Sequence, residues 1–197
     1  MGNKIFIDCG AHCGESILEA KRRFGNDIKI YSFEANTNLA NALIEHFKND
    51  SNVKIENKAV WIENSFIEFY LSTSWSDGSS VYKEKNSGGI SENILLKVPC
   101  IDLSSFINNF DKDDYIILKI DIEGAEYELL NHMLSNNCLE YINDLFVEFH
   151  LGKITNITSD QHNDLINKLQ SLGFAYADVA WEKENIKLNL ITLYAND

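Results

Sequence analysis

The stretch Ile5-Phe6-Ile7-Asp8-Cys9-Gly10-Ala11-His12-Cys13-Gly14-Glu15-Ser16 decides the predicted fold of this chain. An apolar run ends in an acid, and a turn that contains glycine follows it. Glycine lets the backbone adopt positive φ and approach a ligand closely. The N-terminus of a helix presents free N–H groups, which suit a carboxylate or a phosphate. The stretch therefore predicts a strand, a ligand-binding turn and a helix, with a tight turn that binds nothing as the alternative.

The spacing of the glycines limits which ligand fits this turn. Gly10 and Gly14 form G-x-x-x-G, whereas a dinucleotide fingerprint reads G-x-G-x-x-G and needs its second glycine where His12 stands. Asp8 would also place a negative charge beside a pyrophosphate. A ligand that carries an amino acid fits better, because its ammonium can pair with Asp8 and its carboxylate can lie at the helix start.

Beyond this stretch, predicted strands alternate with predicted helices, which favours a parallel α/β sheet. Short apolar or β-branched runs predict the strands Lys4–Asp8, Ile28–Phe33, Val53–Asn57 (with a possible extension to Val60), Tyr115–Ile120, Asp144–Phe149, Phe174–Val179 and Leu188–Tyr194. Helical spacing predicts the helices Ser16–Phe24, Thr37–Lys48, Glu126–Leu134 and Ser159–Leu172. The last two strands must be antiparallel, because the eight residues between them are too few for a crossover helix.

Residues 65–98 interrupt this alternation. Phe66–Tyr70 alternates apolar and polar side chains, and Ile94–Val98 has the composition of a return strand. We interpret the segment as an antiparallel β insertion near the ligand face. A flexible surface loop is the alternative.

Composition and charge restrict the partners of the chain. It has 197 residues and a net charge of −13, which predicts one domain over 1–197 and disfavours nucleic acid and anionic membranes as partners. No apolar run approaches 18 residues, and the start of the chain does not resemble a signal peptide. The four cysteines are therefore expected to be free thiols, and the expected location is the cytoplasm.

Glu34 ends the second predicted strand, 24 residues after Gly10. An acid near this spacing can accept hydrogen bonds from both ribose hydroxyls. It therefore supports a nucleoside ligand without choosing between S-adenosylmethionine and a nicotinamide cofactor. A solvated surface glutamate is the alternative.

Charged side chains also follow two apolar strands, at the edge where open α/β sheets bind ligands. Lys119, Asp121 and Glu123 lie at the end of one strand, and Glu148 and His150 at the end of another. If the two strands are neighbours, the three acids and the histidine converge on one cleft edge. Such a cluster can bind a metal ion or supply a general base, although His150 could also simply cap its strand.

The ordered motifs together resemble the FkbM family of S-adenosylmethionine-dependent methyltransferases over roughly residues 4 to 150. The segments that carry the resemblance are IDCGAHCGES, SFEANTNLANAL, ENKAV, KIDIEGAEYELL and VEFH. The chain departs from the family pattern twice. His12 stands where the family usually has Asn, and Ala35 stands where it usually has Pro.

The resemblance implies a Rossmann-like class I methyltransferase fold, with a seven-stranded sheet of order 3-2-1-4-5-7-6 and an antiparallel C-terminal hairpin. It implies that S-adenosylmethionine contacts Asp8, Gly10, Gly14, Ser16 and Glu34, with Asn57, Ala59 and Val60 near the adenine. It also implies that Asp121 and Glu123 face the zone of methyl transfer.

The resulting hypothesis is O-methyl transfer to a hydroxyl of a sugar or of a natural-product-like small molecule. His150 or Asp121 is expected to act as base, with Lys119 and Glu148 as orienting partners, and Asp121 could hold a divalent cation. Ser79, Ser80 and Glu123 are candidate substrate contacts, and an oligomer is possible. The alternatives are a non-catalytic binding module that retains the fold and, less favoured, a nicotinamide-dependent oxidoreductase.

Overall fold

The computed structural model describes residues 2–71, 79–82, 95–153 and 157–174. The strands are β1 Lys4–Cys9, β2 Lys29–Phe33, β3 Val53–Glu56, β4 Ala59–Trp61, β5 Ser65–Tyr70, β6 Leu95–Asp102, β7 Tyr115–Ile120 and β8 Ile142–Val147. The helices are α1 Glu15–Phe24, α2 Thr37–Phe47, α3 Leu103–Ile107, α4 Glu126–Ser135 and α5 Ser159–Ser171, with a 3-10 turn at Cys138–Tyr141.

The main sheet is parallel and has the strand order β3-β2-β1-β7-β8. Helices cover both faces of this sheet. Successive side chains of a strand point to opposite faces, so each strand packs against helices on both sides. Ile5 and Ile7 of β1 pack in the cluster that includes side chains of α3, α4 and α5. Phe6 packs in a second cluster with side chains of α1 and α2. The result is a three-layer α/β arrangement with β1 at its centre.

A second, smaller sheet has the order β4-β6-β5. β5 and β6 are antiparallel, which confirms the predicted β insertion, and Tyr70 forms a further antiparallel bridge with Ser80. The predicted extension of the third strand to Val60 is wrong. The chain leaves the main sheet after Glu56, and Ala59–Trp61 pairs instead with β6 in the second sheet.

The described main sheet has five strands, not the seven that were predicted, and their order matches the first five positions of the predicted order. The two remaining strands were predicted at 174–179 and 188–194. Apart from Phe174, these residues lie outside the described part of the chain, as does the predicted C-terminal hairpin. In the described residues, no helix is long and apolar enough to cross a membrane.

Helix α5 begins at Ser159, as predicted. Its N-cap is Thr158, which forms a capping box with Gln161. The helix ends at Ser171, one residue before the predicted end at Leu172, and Gly173 then adopts a φ of 92°, as glycine commonly does after a helix.

Candidate active site

The turn between β1 and α1 is held tightly against neighbouring strands. The backbone N–H groups of Gly10 and Ala11 both donate to the carbonyl of Phe33, at 3.0 and 3.1 Å. Gly10 has a φ of 93°, and a Cβ atom there would lie 1.9 Å from the carbonyl oxygen of Asp121. Only glycine therefore lets the turn approach the end of β7 this closely.

Gly14 is required for a different contact. Its φ is 86°, and a Cβ atom would lie 2.7 Å from a methyl group of Leu43. The glycine therefore lets the start of α1 pack against α2. Both predicted glycines of the turn position the backbone, and their contacts with a cofactor stay a prediction.

Asp8 is fully buried at the end of β1. Its register neighbours are Ser32 on β2 and Lys119 on β7. One carboxylate oxygen accepts hydrogen bonds from the hydroxyls of Ser16 and Ser32, at 2.5 and 2.7 Å. The other lies 3.2 Å from Nζ of Lys119. The acid is thus paired within the protein, so its expected contact with the ammonium of a ligand stays a prediction.

Glu34 follows β2 and points back to the β1–α1 turn. Its two carboxylate oxygens accept the backbone N–H groups of His12 and Asn36, each at 2.8 Å. Burial raises the pKa of Glu34 to about 7 against these two hydrogen bonds, and the charge of Asp8 adds to the rise. Each carboxylate oxygen can still accept another hydrogen bond, as a ribose would require.

Asn57 holds the backbone at Glu34 in place. Its side-chain amide donates to the carbonyls of Glu34 and Ala35, at 2.9 and 3.2 Å. Ala59 and Val60 are buried in β4, in the hydrophobic clusters of the second and main sheets respectively. Their predicted position near an adenine ring is therefore not tested by these contacts.

Lys119 connects the turn with the acidic residues at the end of β7. Its buried ammonium donates to the carbonyl of Gly10 at 2.7 Å and lies 3.2 Å from Asp8 and 3.6 Å from Asp121. Burial opposes its charge, but the carboxylates of Asp8 and Asp121 outweigh burial and hold the pKa of Lys119 above its ordinary value. Lys119 is thus paired with acids on two sides, and its predicted role as an orienting partner stays a prediction.

His150 lies just beyond β8 and its side chain is 1% exposed. Its Nδ1 is 2.9 Å from Oε1 of Glu126, which is itself fully buried. Its Nε2 faces three further carboxylates, those of Glu123 at 3.4 Å, Glu148 at 3.6 Å and Asp121 at 3.9 Å. The predicted convergence of Asp121, Glu123, Glu148 and His150 is thus present in the structure.

The acids of this cluster and their burial shift the pKa values of His150, Glu148 and Asp121. Burial lowers the pKa of His150, but the carboxylates of Glu126, Glu123 and Asp121 outweigh burial and raise it to about 9. Burial and the charge of Asp121 raise the pKa of Glu148 to about 7. Burial also raises the pKa of Asp121, against the cations Lys119 and His150. In the ligand-free protein, His150 is therefore an imidazolium at neutral pH, whereas Glu148 titrates near neutrality.

Ser79 and Ser80 reach the same region from the β insertion, and both are buried. The hydroxyl of Ser80 donates to the backbone carbonyl of Glu123 at 2.7 Å and accepts the N–H of Tyr82 at 3.2 Å. Ser80 of the insertion therefore lies against the site, as expected for the insertion. The placement of Ser80 supports the loop that carries Glu123, and substrate contact by either serine stays a prediction.

Two contributing residues were not singled out from the sequence. Ser32 holds Asp8, and Glu126 holds His150 while it accepts the backbone N–H groups of Ile122 and Gly124. The position of Glu126 two residues after a glycine is the signal that could have found it, because a carboxylate at a helix start can accept the free N–H groups of the preceding turn.

The chain matches one known protein family over most of its length. The family profile described as the methyltransferase FkbM domain matches residues 8–176. No match was found among the curated proteins.

Two solved structures are similar at low identity. The methyltransferase FkbM from Methylobacillus flagellatus KT is 13% identical, with a TM-score of 0.42, over 68% of this chain and 30% of that one. A chain of the fibrillarin/Nop5p complex is 10% identical, with a TM-score of 0.44, over 87% of this chain and 62% of that one. The chain thus spans less than two thirds of the length of either.

Proposed function

We propose, from the premise that this chain belongs to the FkbM methyltransferase family, that it transfers a methyl group from S-adenosylmethionine to a hydroxyl of a small molecule. The acceptor class we propose is a sugar or a natural-product-like scaffold. Membership of the family is the reason to expect methyl transfer. The arrangement of the site is our argument for S-adenosylmethionine as the donor and a hydroxyl as the acceptor.

One observation carries the proposal. Nζ of Lys119 donates to Gly10 in the glycine turn and lies 3.6 Å from Asp121 in the acidic cluster. A cofactor bound at the turn would therefore have its reactive end beside groups that can accept a proton. Hydroxyl methylation needs this arrangement, since the sulfonium is already activated and the protein has to align the oxygen and remove its proton.

In the proposed complex, Glu34 accepts hydrogen bonds from the ribose hydroxyls. Its backbone partners His12 and Asn36 fix the orientation of the carboxylate before the ligand arrives. The N–H groups at the start of α1 face the carboxylate of the methionine part, for which a helix N-terminus is suited.

Glu148 fits the role of general base best within the cluster. A base is most efficient when its pKa lies near the working pH, and the pKa of Glu148 is about 7. Its side chain is 36% exposed, whereas that of His150 is 1% exposed. The sequence favours His150 or Asp121 as base, but an imidazolium accepts no proton, and Asp121 already faces Lys119 and His150. A divalent cation at Asp121 would help by lowering the pKa of the acceptor hydroxyl.

Titration calorimetry with S-adenosylmethionine, S-adenosylhomocysteine and NADH tests the cofactor. Binding of the first two at micromolar concentration, without NADH, supports the proposal. Binding of NADH alone contradicts it and favours an oxidoreductase, and binding of none favours a non-catalytic module.

Transfer of labelled methyl groups to a panel of sugars then tests the reaction. Glu148→Gln is expected to lower kcat by about 100-fold or more, as loss of a general base does, with unchanged affinity for S-adenosylmethionine. Glu140→Gln, on the 3-10 turn, is the control and should keep full activity. Full activity of Glu148→Gln would remove Glu148 as the base.

A further inference from the structure

The imidazole of His150 has one nitrogen without a hydrogen-bond partner. Among the described residues, no group is hydrogen-bonded to its Nε2, although the atom is buried. Unpaired buried polar atoms are uncommon, because such an atom loses its hydrogen bonds to water without replacement. This nitrogen points toward Glu123, Glu148 and Asp121 at ion-pair distances of 3.4 to 3.9 Å.

The other nitrogen of His150 is fixed by a carboxylate. Nδ1 lies 2.9 Å from Glu126, and the same oxygen of Glu126 accepts the backbone N–H groups of Ile122 and Gly124. Histidines that ligate metal ions almost always donate their second ring N–H to a carboxylate or a carbonyl, which fixes the tautomer and raises ligand basicity. Glu126 therefore directs a lone pair of Nε2 into the cluster whenever that nitrogen is unprotonated.

The spacing of the neighbouring acids fits a single ion. Ligand atoms of Asp121, Glu123 and His150 all lie within 4.8 Å of one another. Adjacent ligands at about 2.1 Å from one metal ion lie about 3.0 to 3.4 Å apart, for octahedral and tetrahedral geometry respectively. Small rotations of two carboxylates, starting from 3.4 and 3.9 Å, bring the three atoms to those distances.

The charge of the cluster also favours a cation. In the described part of the chain, the acids Asp8, Asp121, Glu123, Glu126 and Glu148 face the cations Lys119 and His150. Negative charges crowded in a partly buried site repel one another, and a divalent ion relieves that repulsion more than one proton does.

We propose that Asp121, Glu123 and His150 bind a first-row divalent transition metal ion, with Mn²⁺ as the model ion. Imidazole together with carboxylates suits Mn²⁺, Fe²⁺, Co²⁺ and Zn²⁺ better than Mg²⁺ and Ca²⁺, which prefer oxygen ligands. Three protein ligands leave positions open for an acceptor hydroxyl, as catalytic metal sites do. The ion would lower the pKa of that hydroxyl. This role rests on the proposed function, whereas the binding of the ion does not.

The test is calorimetric titration of chelator-treated protein with Mn²⁺, Mg²⁺ and Ca²⁺, without S-adenosylmethionine or an acceptor. We expect one Mn²⁺ per chain, bound at least 10-fold more tightly than Mg²⁺ or Ca²⁺. His150→Gln and Asp121→Asn should each weaken Mn²⁺ binding at least 10-fold. Glu126→Gln, at a positioning residue, should weaken it 10- to 100-fold. Circular dichroism spectra of all variants should match that of the unaltered protein.

His132→Gln is the matched control. His132 also pairs with an acid, since its Nε2 lies 3.3 Å from Asp102, but it belongs to no group of potential metal ligands found in the described residues. Its substitution should leave Mn²⁺ affinity unchanged. The inference is overturned by absence of Mn²⁺ binding at 1 mM, by equal affinity for Mg²⁺, or by His150→Gln protein that is folded and binds Mn²⁺ normally. None of these readouts depends on methyl transfer, so failure of the metal site and failure of the proposed function are distinguishable.

Discussion

Replacing Glu34 with glutamine is expected to make the stability of the protein depend less on pH and to weaken cofactor binding. Glu34 is 8% exposed, and its pKa is raised from the ordinary value of 4.5 to about 7, first by burial. The folded protein therefore holds a proton between pH 4.5 and 7 that the unfolded chain has released. Ionised Glu34 thus opposes folding increasingly as pH rises from 4.5, and its full cost is reached above pH 7.

The size of this effect follows from the same two values. A rise from 4.5 to about 7 corresponds to about 3 kcal/mol at pH 8. Glutamine cannot ionise, but its amide nitrogen cannot accept the backbone N–H that one carboxylate oxygen of Glu34 accepts. The substitution therefore also carries a cost of about 1 to 3 kcal/mol that does not depend on pH. We therefore expect the free energy of unfolding of Glu34→Gln, relative to that of the unaltered protein, to rise by about 3 kcal/mol between pH 4.5 and pH 8. This relative free energy should fall as the pH falls and reach its minimum below pH 4.5.

Urea unfolding of both proteins at pH values from 4.5 to 8 measures this difference. Glu45→Gln is the control, because Glu45 is exposed and, among the residues that the structure describes, forms an ion pair with the exposed Lys48 alone. Its substitution should change stability little at any pH. A stability difference for Glu34→Gln that stays constant over this range would refute the reasoning.

The same variant tests the role of Glu34 toward the ribose. Glutamine keeps one acceptor oxygen and loses the negative charge, and a hydrogen bond to a charged group contributes about 1.5 to 3 kcal/mol. Calorimetry should therefore show binding of S-adenosylmethionine weakened by at least about 10-fold at pH 8. The unaltered protein should likewise lose affinity between pH 8 and 6, because Glu34 becomes protonated. Unchanged affinity in both experiments would remove Glu34 as the ribose ligand.

Three further substitutions test the structure around the site. Gly10→Ala should lower the free energy of unfolding by more than about 2 kcal/mol, because its Cβ would meet the carbonyl of Asp121. Gly152→Ala is its control in thermal unfolding, since Gly152 also has positive φ but has open space around it. Lys119→Met should cost about 3 to 5 kcal/mol in urea unfolding, because it leaves the buried carboxylate of Asp8 without the cation that lies beside it. Lys48→Met, which breaks an exposed ion pair, should cost less than about 1 kcal/mol. In chelator-treated protein, His150→Gln should cost about 3 kcal/mol more at pH 6 than at pH 10. The pKa of His150 is raised from 6.5 to about 9, so its contribution is complete below pH 6.5 and is lost as pH rises through 9. A pH-independent cost for His150→Gln would contradict the ion pairing described for it.

The convergence of the acidic residues with His150 was predictable because it depends on strand ends alone. The carboxyl ends of parallel neighbours meet at one edge of a sheet, and the apolar runs before Asp121 and Glu148 marked two buried strands. Strand order supplied the rest, since β7 and β8 are neighbours.

What the sequence could not supply is the identity of each partner. Asp8 was predicted to pair with the ammonium group of a ligand, but the register of β1 against β7 places Lys119 directly beside it. In the sequence, Glu126 is the first residue of a predicted helix and nothing marks its partners. In the structure, its carboxylate accepts the backbone N–H groups of Ile122 and Gly124 and lies 2.9 Å from Nδ1 of His150. The split between β3 and β4 was hidden for a similar reason. Three polar residues separate Ile55 from the apolar Ala59 and Val60, and the sequence does not say to which sheet each apolar part belongs.

His12 illustrates how a departure from the family pattern can leave the site intact. The FkbM pattern that the chain resembles has Asn at this position, and His12 has a φ of 45°. Asn, Asp and His are the residues other than glycine that adopt this left-handed conformation most readily. Its backbone N–H donates to Glu34, so the conformation and not the side chain orients the carboxylate. We therefore expect His12→Asn to retain the affinity for S-adenosylmethionine and His12→Val, which is β-branched, to lose at least about 10-fold in calorimetry. Equal affinities of these two variants would show that the backbone conformation at residue 12 does not position Glu34.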